Sequence, residues 1–295
     1  MELCRAAAAA LAVLACACDP NMLIGIDPSD GAVVDSTVED ATMDDGATDS
    51  GPAGEAEAGT VVVGDGSPIV FTTGFETGFS DFGLGGADCY AGPGTAGTYN
   101  IVGPLIGVPG PVHSGNYSAA FSIMTSAGTA WARCFLNSGL PETAYYSAWF
   151  YILSNVTSST GWTLLHWQRP LSDGGAVYLW DVSLLNEPDG TLSPEVIDYV
   201  RGKNYDGMQA IDAGAWFHLE VYLQRSDANA GTFTMYLNDA PLVQLTGVST
   251  DTSSSFGFHI GNYAQSLTPS GLVLYVDDIV VSTEYVQNDA GLTTP

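Results

Sequence analysis

Basic residues are nearly missing from this 295-residue chain: six Lys and Arg stand against 33 Asp and Glu, a formal net charge of −27. Phosphate backbones are held by clustered cations, so nucleic acid is excluded as a partner. Long apolar runs are missing as well. The run near the N-terminus, residues 6–15, is too short to span a bilayer as a permanent helix. No CxxC and no Cys/His cluster with metal spacing occurs, so the five cysteines do not point to a metal. A nucleophile elbow is absent, which removes the support a serine triad would need. Good amphipathic helices are absent too, so any apolar sheet face has to be covered by another sheet.

What is present is alternation. In Trp216–Gln224 the residues Trp216, His218, Glu220, Tyr222 and Gln224 share one face, and Phe217, Leu219, Val221 and Leu223 share the other. That period of two predicts a half-buried strand. After a polar turn, Phe233, Met235 and Leu237 alternate with Thr232, Thr234, Tyr236 and Asn238. The Asn238-Asp239 reversal then leads into 242–245, giving three consecutive antiparallel strands. Further strands are predicted over 69–73, 117–124, 129–136, 145–153, 162–169, 176–185, more weakly 196–201, then 256–260 and 272–285. Around a dozen strands with many turns predict an all-β, antiparallel β-sandwich over residues 68–288, followed by a short tail, 289–295.

The N-terminal quarter reads differently. Residues 1–18 carry Arg5, the apolar run, and Val13-Leu14-Ala15-Cys16, and they resemble a bacterial lipoprotein signal peptide with Cys16 as the lipidated residue and Cys18 as a competing site. Residues 19–67 are rich in Asp, Gly, Ala, Thr and Ser and contain no aromatic, Lys or Arg. Such a segment cannot bury enough apolar surface to offset its ordering entropy, and it is expected to be a disordered acidic linker. The expectation is an exported domain, lipid-anchored to a bacterial membrane at the outer membrane or cell surface. The domain itself has five basic residues against 20 acidic ones, a formal charge of −15. At long range that favours a neutral glycan over an anionic one. Cys89 and Cys134 are its only cysteines. In an exported protein such a pair is most simply a disulfide, with two free thiols as the alternative.

The order FETGFSDF, HSGNYSAAFSI, YYSAWFYI, WFHLEVYL with the NDAPLVQL hairpin, FGFHIGNY and YVDDIVVS resembles the concanavalin A-like lectin and glucanase superfamily, the laminin-G-like jelly rolls. Lectins, glycosidases, polysaccharide lyases and adhesion modules share this fold, so the resemblance implies architecture more than activity. Jelly rolls that open with Phe-Glu and close with Asp-Asp often hold a cation between those ends. The resemblance therefore implies a structural Ca²⁺ at Glu76, Asp277 and Asp278; the alternative is that these acids accept hydrogen bonds without metal.

Three roles follow for the domain. Carbohydrate binding is the first, with Trp162, Tyr178, Trp180, Trp216 and Tyr222 as stacking rings. The second is a polysaccharide lyase acting by β-elimination through His166, Gln168, Arg201, Lys203 and Tyr205. The WTLLHWQR strand is similar to the Gln-x-His strand of jelly-roll lyases with the order reversed, and no Arg-x-Glu-x-Arg strand accompanies it. The third is a structural or adhesion domain without small ligand. Retaining glucanases of the superfamily carry a Glu-x-Asp-x-Glu strand, which this chain lacks.

Overall fold

A computed structural model describes residues 68–285 apart from 84, 85, 87, 160, 172–174 and 252–255, all within the compact unit Thr48–Pro295. The expected signal peptide, the linker, Cys16 and the tail lie outside the described residues.

Two antiparallel sheets make the sandwich. The first runs β13 (Ala240–Val248), β12 (Gly231–Leu237), β11 (Trp216–Gln224), β6 (Thr143–Ile152), β15 (Gly271–Ser282), β4 (Ser118–Met124), β3 (Gly97–Val102), with β1 (Ile69–Thr73) paired to the far end of β15. The second runs β10 (Lys203–Asp206), β9 (Leu192–Asp198), β8 (Ala176–Asn186), β7 (Trp162–Pro170), β14 (Gly257–Gln265), β5 (Thr129–Leu136), β2 (Cys89–Gly92). Neighbours in space are often distant in sequence: β6 lies between β11 and β15, and β14 lies between β7 and β5.

The alternation seen in the sequence decides which side chains fill the space between the sheets. From the first sheet come Tyr146, Ala148, Phe150, Phe217, Leu219, Val221, Phe233 and Met235; from the second, Leu165, Trp167, Trp180, Val182, Phe258 and Ile260. Trp180 stacks on Phe233 at 4.5 Å between ring centroids, and Trp167 meets Tyr146 edge-on at 5.4 Å. Each such large side chain, fully buried, contributes on the order of 1.5–3 kcal/mol.

Cys89 opposes Cys134 across β2 and β5, and the two are joined as a disulfide that fastens the edge strand to its neighbour. The short glycine-containing strands β2 and β3 were not among those expected from alternation, because CYAG and GTYNIV carry too few apolar positions to show a period. The strand expected over 196–201 is the end of β9, which stops at Asp198; a turn over 199–202, with Gly202 at φ +62°, then reverses the chain into β10. Arg201 therefore sits in the turn, off any shared strand face with Lys203 and Tyr205.

Adjacent residues of a strand point to opposite faces, so parity places at least one of Asp277 and Asp278 on the packed side of β15 or at its rim. A register shift in β15 between Asp277 and Val280, with Asp278 at φ +46°, gives the inward positions to Ile279 and Val281; Asp277, opposite Trp149 on the outer side, is nonetheless completely buried beneath the 113–117 turn.

Candidate functional site

The outward face of the second sheet carries a continuous polar network. His166 on β7 pairs directly across with Asp181 on β8 and with His259 on β14. The His166 Nδ1 is hydrogen-bonded to Asp181 Oδ1, and its Nε2 lies 3.1 Å from Gln168 Oε1. Gln168 Nε2 lies 2.9 Å from His259 Nε2, and His259 Nδ1 lies 3.2 Å from the Tyr90 hydroxyl. At the other end, the Tyr199 and Thr163 hydroxyls donate to Asp181 Oδ2 at 3.0 and 3.2 Å. The network thus runs Tyr90, His259, Gln168, His166, Asp181, Tyr199, spanning β2, β14, β7, β8 and the end of β9.

Beside it sits Arg133 on β5, 8% exposed, with its guanidinium carbon 4.3 Å from the centre of the Tyr263 ring. It makes no ion pair among the described residues. Gly261 stands directly opposite Arg133 on β14 at φ +145°, where an added Cβ would lie 2.4 Å from the Ala132 carbonyl oxygen. Only glycine lets β14 approach β5 this closely, and it leaves the floor beside Arg133 free of a side chain.

His166, His259 and Asp181 are almost completely buried, whereas Tyr90, Tyr178 and Tyr199 are 37%, 49% and 40% exposed. The tyrosines therefore stand as a wall around a polar floor. The Tyr178 ring meets His166 edge-on at 4.8 Å and Tyr199 at 5.6 Å. Burial pushes His259 down to about 2, helped by the nearby His166 and Arg133, so its ring is neutral. Burial raises the Tyr178 phenol, with Tyr263 adding and Arg133 opposing, and burial together with Asp181 raises Tyr199. Farther along the face, toward β9 and β10, the surface turns acidic. There burial raises Glu195, which accepts a 2.7 Å hydrogen bond from Asn204.

This placement sorts the residues singled out from the sequence. His166 and Gln168 are brought together as expected. Tyr205 packs against the core from β10, opposite Val196, and Arg201 is ion-paired with the buried Asp198; with Lys203 they lie at the sheet edge, outside the network. The stacking set divides. Trp162, opposite Leu184 and Ala264, and Trp180, whose Nε1 donates to the Thr250 carbonyl at 2.7 Å, are fully buried core residues and cannot stack on a sugar. Trp216 and Tyr222 face outward from the first sheet, on the opposite side of the molecule from Tyr178. His259, Tyr90, Tyr199 and Asp181 complete the network, and Arg133 stands beside it, without having been singled out. Parity already put Arg133 on one face with Trp131 and Phe135, but nothing local says that β5, β14 and β7 are neighbours.

Glu76, Asp277 and Asp278 meet around one turn, residues 113–117. Glu76 accepts from the backbone N–H groups of Asn116 and Tyr117 at 2.7 and 3.0 Å. Asp277 accepts from those of His113 and Ser114 at 2.9 and 3.3 Å. Asp278 holds the His113 ring and the Ser114 hydroxyl, both at 2.7 Å. The first and last strands are thus tied through a common turn. Among the described residues no three acidic, His or Cys side chains converge on one point as metal ligands.

No protein-family model and no curated protein matches this chain. Solved structures do. It is similar to an endo-β-1,4-glucuronan lyase from the fungus Trichoderma reesei, with a TM-score of 0.53 and 16% identity over 66% of this chain and 90% of that one. It is also similar to a mutant of the alginate lyase Aly36B in complex with an alginate trisaccharide, with a TM-score of 0.51 and 10% identity over 74% of this chain and 99% of that one. The fold is an antiparallel jelly-roll β-sandwich. At such identities the likeness carries architecture, and the chemistry of this jelly roll has to come from its own residues.

Proposed function

We propose that the jelly roll binds an acidic polysaccharide across the outward face of its second sheet and cleaves it by β-elimination. The observation that carries this is Arg133: a nearly buried guanidinium without a carboxylate partner among the described residues, beside a His-Gln-His floor, in a strongly acidic domain. A buried cation in that position is matched by a substrate carboxylate. The domain's charge favours neutral glycans at a distance, whereas Arg133 discriminates for a uronate on contact. Both similar structures are described as lyases of uronate polymers, which agrees with this reading.

In the reaction the proton α to the uronate carboxylate is removed, and the electron pair forms a double bond as the glycosidic oxygen leaves and is protonated. Arg133 and Gln168 hold the carboxylate and the charge that develops on it. His166 accepts the proton at Nε2 in the tautomer whose Nδ1–H is held by Asp181, with Nε2 bare once substrate displaces the Gln168 carbonyl oxygen that it faces. Tyr178, kept protonated by its partial burial, donates to the leaving oxygen. Tyr205, the tyrosine that the sequence suggested for a lyase site, lies outside this face's network on β10. The test is turnover of polyuronates, followed by absorbance of the unsaturated product. His166→Asn and Tyr178→Phe are expected to lose turnover while keeping retention on the same polymer. Retention by the wild type without product would favour the second reading, a lectin-like module. That reading has its own support, since both nitrogens of His166 and of His259 already have partners.

We also propose a Ca²⁺ at the 113–117 turn. What supports it is donor type alone: three carboxylates and the Asn116 amide surround one turn, although the carboxylates accept hydrogen bonds there and do not converge on one point. A rise in Tm with calcium that disappears in Glu76→Gln would support it; no change on adding calcium or chelator would end it. Tethering through Cys16 is proposed likewise, and is checked by loss of lipid incorporation in Cys16→Ser.

A further inference from the structure

The outward face of the first sheet, on the other side of the sandwich, carries a feature that the proposed reaction does not use. Glu220 on β11 is 1% exposed, and neither carboxylate oxygen has a hydrogen-bond partner among the described residues. It lies opposite Ser147 on β6 and Tyr236 on β12. Four tyrosines close around it. Tyr222, two residues along, meets Tyr145 at 4.8 Å between centroids; Tyr145 meets Tyr285 at 5.7 Å; and Tyr285 meets Tyr236 at 6.3 Å. Tyr285 is 42% exposed, and its hydroxyl donates to Asp239 at 3.0 Å. The ionisable groups facing Glu220 are therefore Tyr145 from β6, His218 and Tyr222 from its own strand, Tyr236 and Asp239 from β12 and the turn after it, and Tyr285 after β15. None is a cation at neutral pH, since burial holds His218 down at about 4.

A buried carboxylate among four neighbouring tyrosines, with both oxygens unmet among the described residues, lacks a hydrogen-bond-donating cation. A quaternary ammonium would satisfy the rings and leave the oxygens unpaired; a primary ammonium satisfies both. We propose that Glu220 and the surrounding Tyr145, Tyr222, Tyr236 and Tyr285 form a second ligand site for a primary ammonium group, of the kind carried by a deacetylated amino sugar or an aliphatic diamine. The four rings give apolar faces for the carbon skeleton, and the acidic domain raises the local concentration of cations. Burial, with Asp239 adding, raises the Glu220 carboxyl to about 8, so at neutral pH the empty site is largely protonated and ammonium binding releases a proton. Affinity is therefore expected to rise from pH 6 to pH 8.

Isothermal titration of the full chain with glucosamine, N-acetylglucosamine, cadaverine and tetramethylammonium, repeated in two buffers of different ionisation enthalpy, tests this. The expected result is saturable binding of glucosamine or cadaverine with a buffer-dependent heat. The acetylated and quaternary probes are expected to bind at least about tenfold more weakly. Preference for glucosamine over cadaverine assigns an amino sugar, and the reverse assigns a diamine. Glu220→Gln should abolish the binding and leave turnover or retention of polyuronate unchanged. Tyr285→Ala, a change at an exposed wall, should weaken binding about tenfold without unfolding the domain. Equal binding of the acetylated probe, binding that survives Glu220→Gln, or no binding of either amine would overturn the proposal.

Discussion

Replacing Arg133 by Gln removes a charge from the floor of the second sheet while keeping a polar, though shorter, side chain. If Arg133 meets a substrate carboxylate, the lost charge-assisted hydrogen bonds are worth about 1.5–3 kcal/mol. At about 1.4 kcal/mol per factor of ten, kcat/KM on a polyuronate should fall by roughly 10- to 150-fold. Retention of the polymer should fall with it, and retention of a neutral glycan should not. The stability cost should be small, because no described carboxylate is left stranded. What is lost is the contact over Tyr263, about 0.5–2 kcal/mol. For a domain of this size that lowers Tm by only a few degrees. Steady-state turnover on a polyuronate and a thermal melt of the same preparation read both quantities. Undiminished turnover in Arg133→Gln would refute the placement of the substrate carboxylate. A Tm loss of tens of degrees would show that Arg133 serves the fold instead.

Removing the Cys89–Cys134 disulfide by a double Ser substitution releases a cross-link between residues 45 apart in sequence, and on chain-entropy grounds should cost about 4 kcal/mol, read by denaturant unfolding with and without reductant. Stability should depend on pH in opposite senses at the two kinds of buried group. Glu220, raised to about 8, favours the folded state below the normal carboxylate range and loses that contribution as pH rises toward 8. Glu220→Gln should therefore flatten the decline at about 1.4 kcal/mol per pH unit. His218 and His259, lowered to about 4 and about 2, contribute stability above pH 6.5 that is lost as pH falls, so His218→Gln should lessen acid sensitivity in a melt series from pH 7 to pH 4.5. Trp180→Ala should cost about 3–5 kcal/mol by leaving a cavity beside Phe233, and folded protein that survives should retain glycan like the wild type; selective loss of glycan binding without loss of stability would contradict the core placement.

Alternation of apolar and polar residues was enough to give the all-β class, most of the strands and the sandwich, because side-chain direction in a strand depends only on parity. The β11 to β13 meander could be read directly for that reason, and so could the outward positions of His218, Glu220 and Tyr222. The cysteine pair was legible because only two cysteines remain in the domain. The site was legible only in pieces. His166 and Gln168 lie two residues apart on one strand, so parity alone puts them together. His259, Arg133 and Asp181 join them through strand pairings between segments up to 136 residues apart, Thr129 opposite Gln265, and pairing order is set by how the two sheets close over a shared core. The same closure placed Trp162 and Trp180 inside, although an aromatic ring in a strand is equally compatible with a sugar platform. It also split Tyr178 from Trp216 and Tyr222, onto opposite faces. Sequence by itself therefore determined which residues can share a face; tertiary structure decided which faces meet solvent and which strands stand side by side, because burial and sheet order depend on contacts between distant parts of the chain.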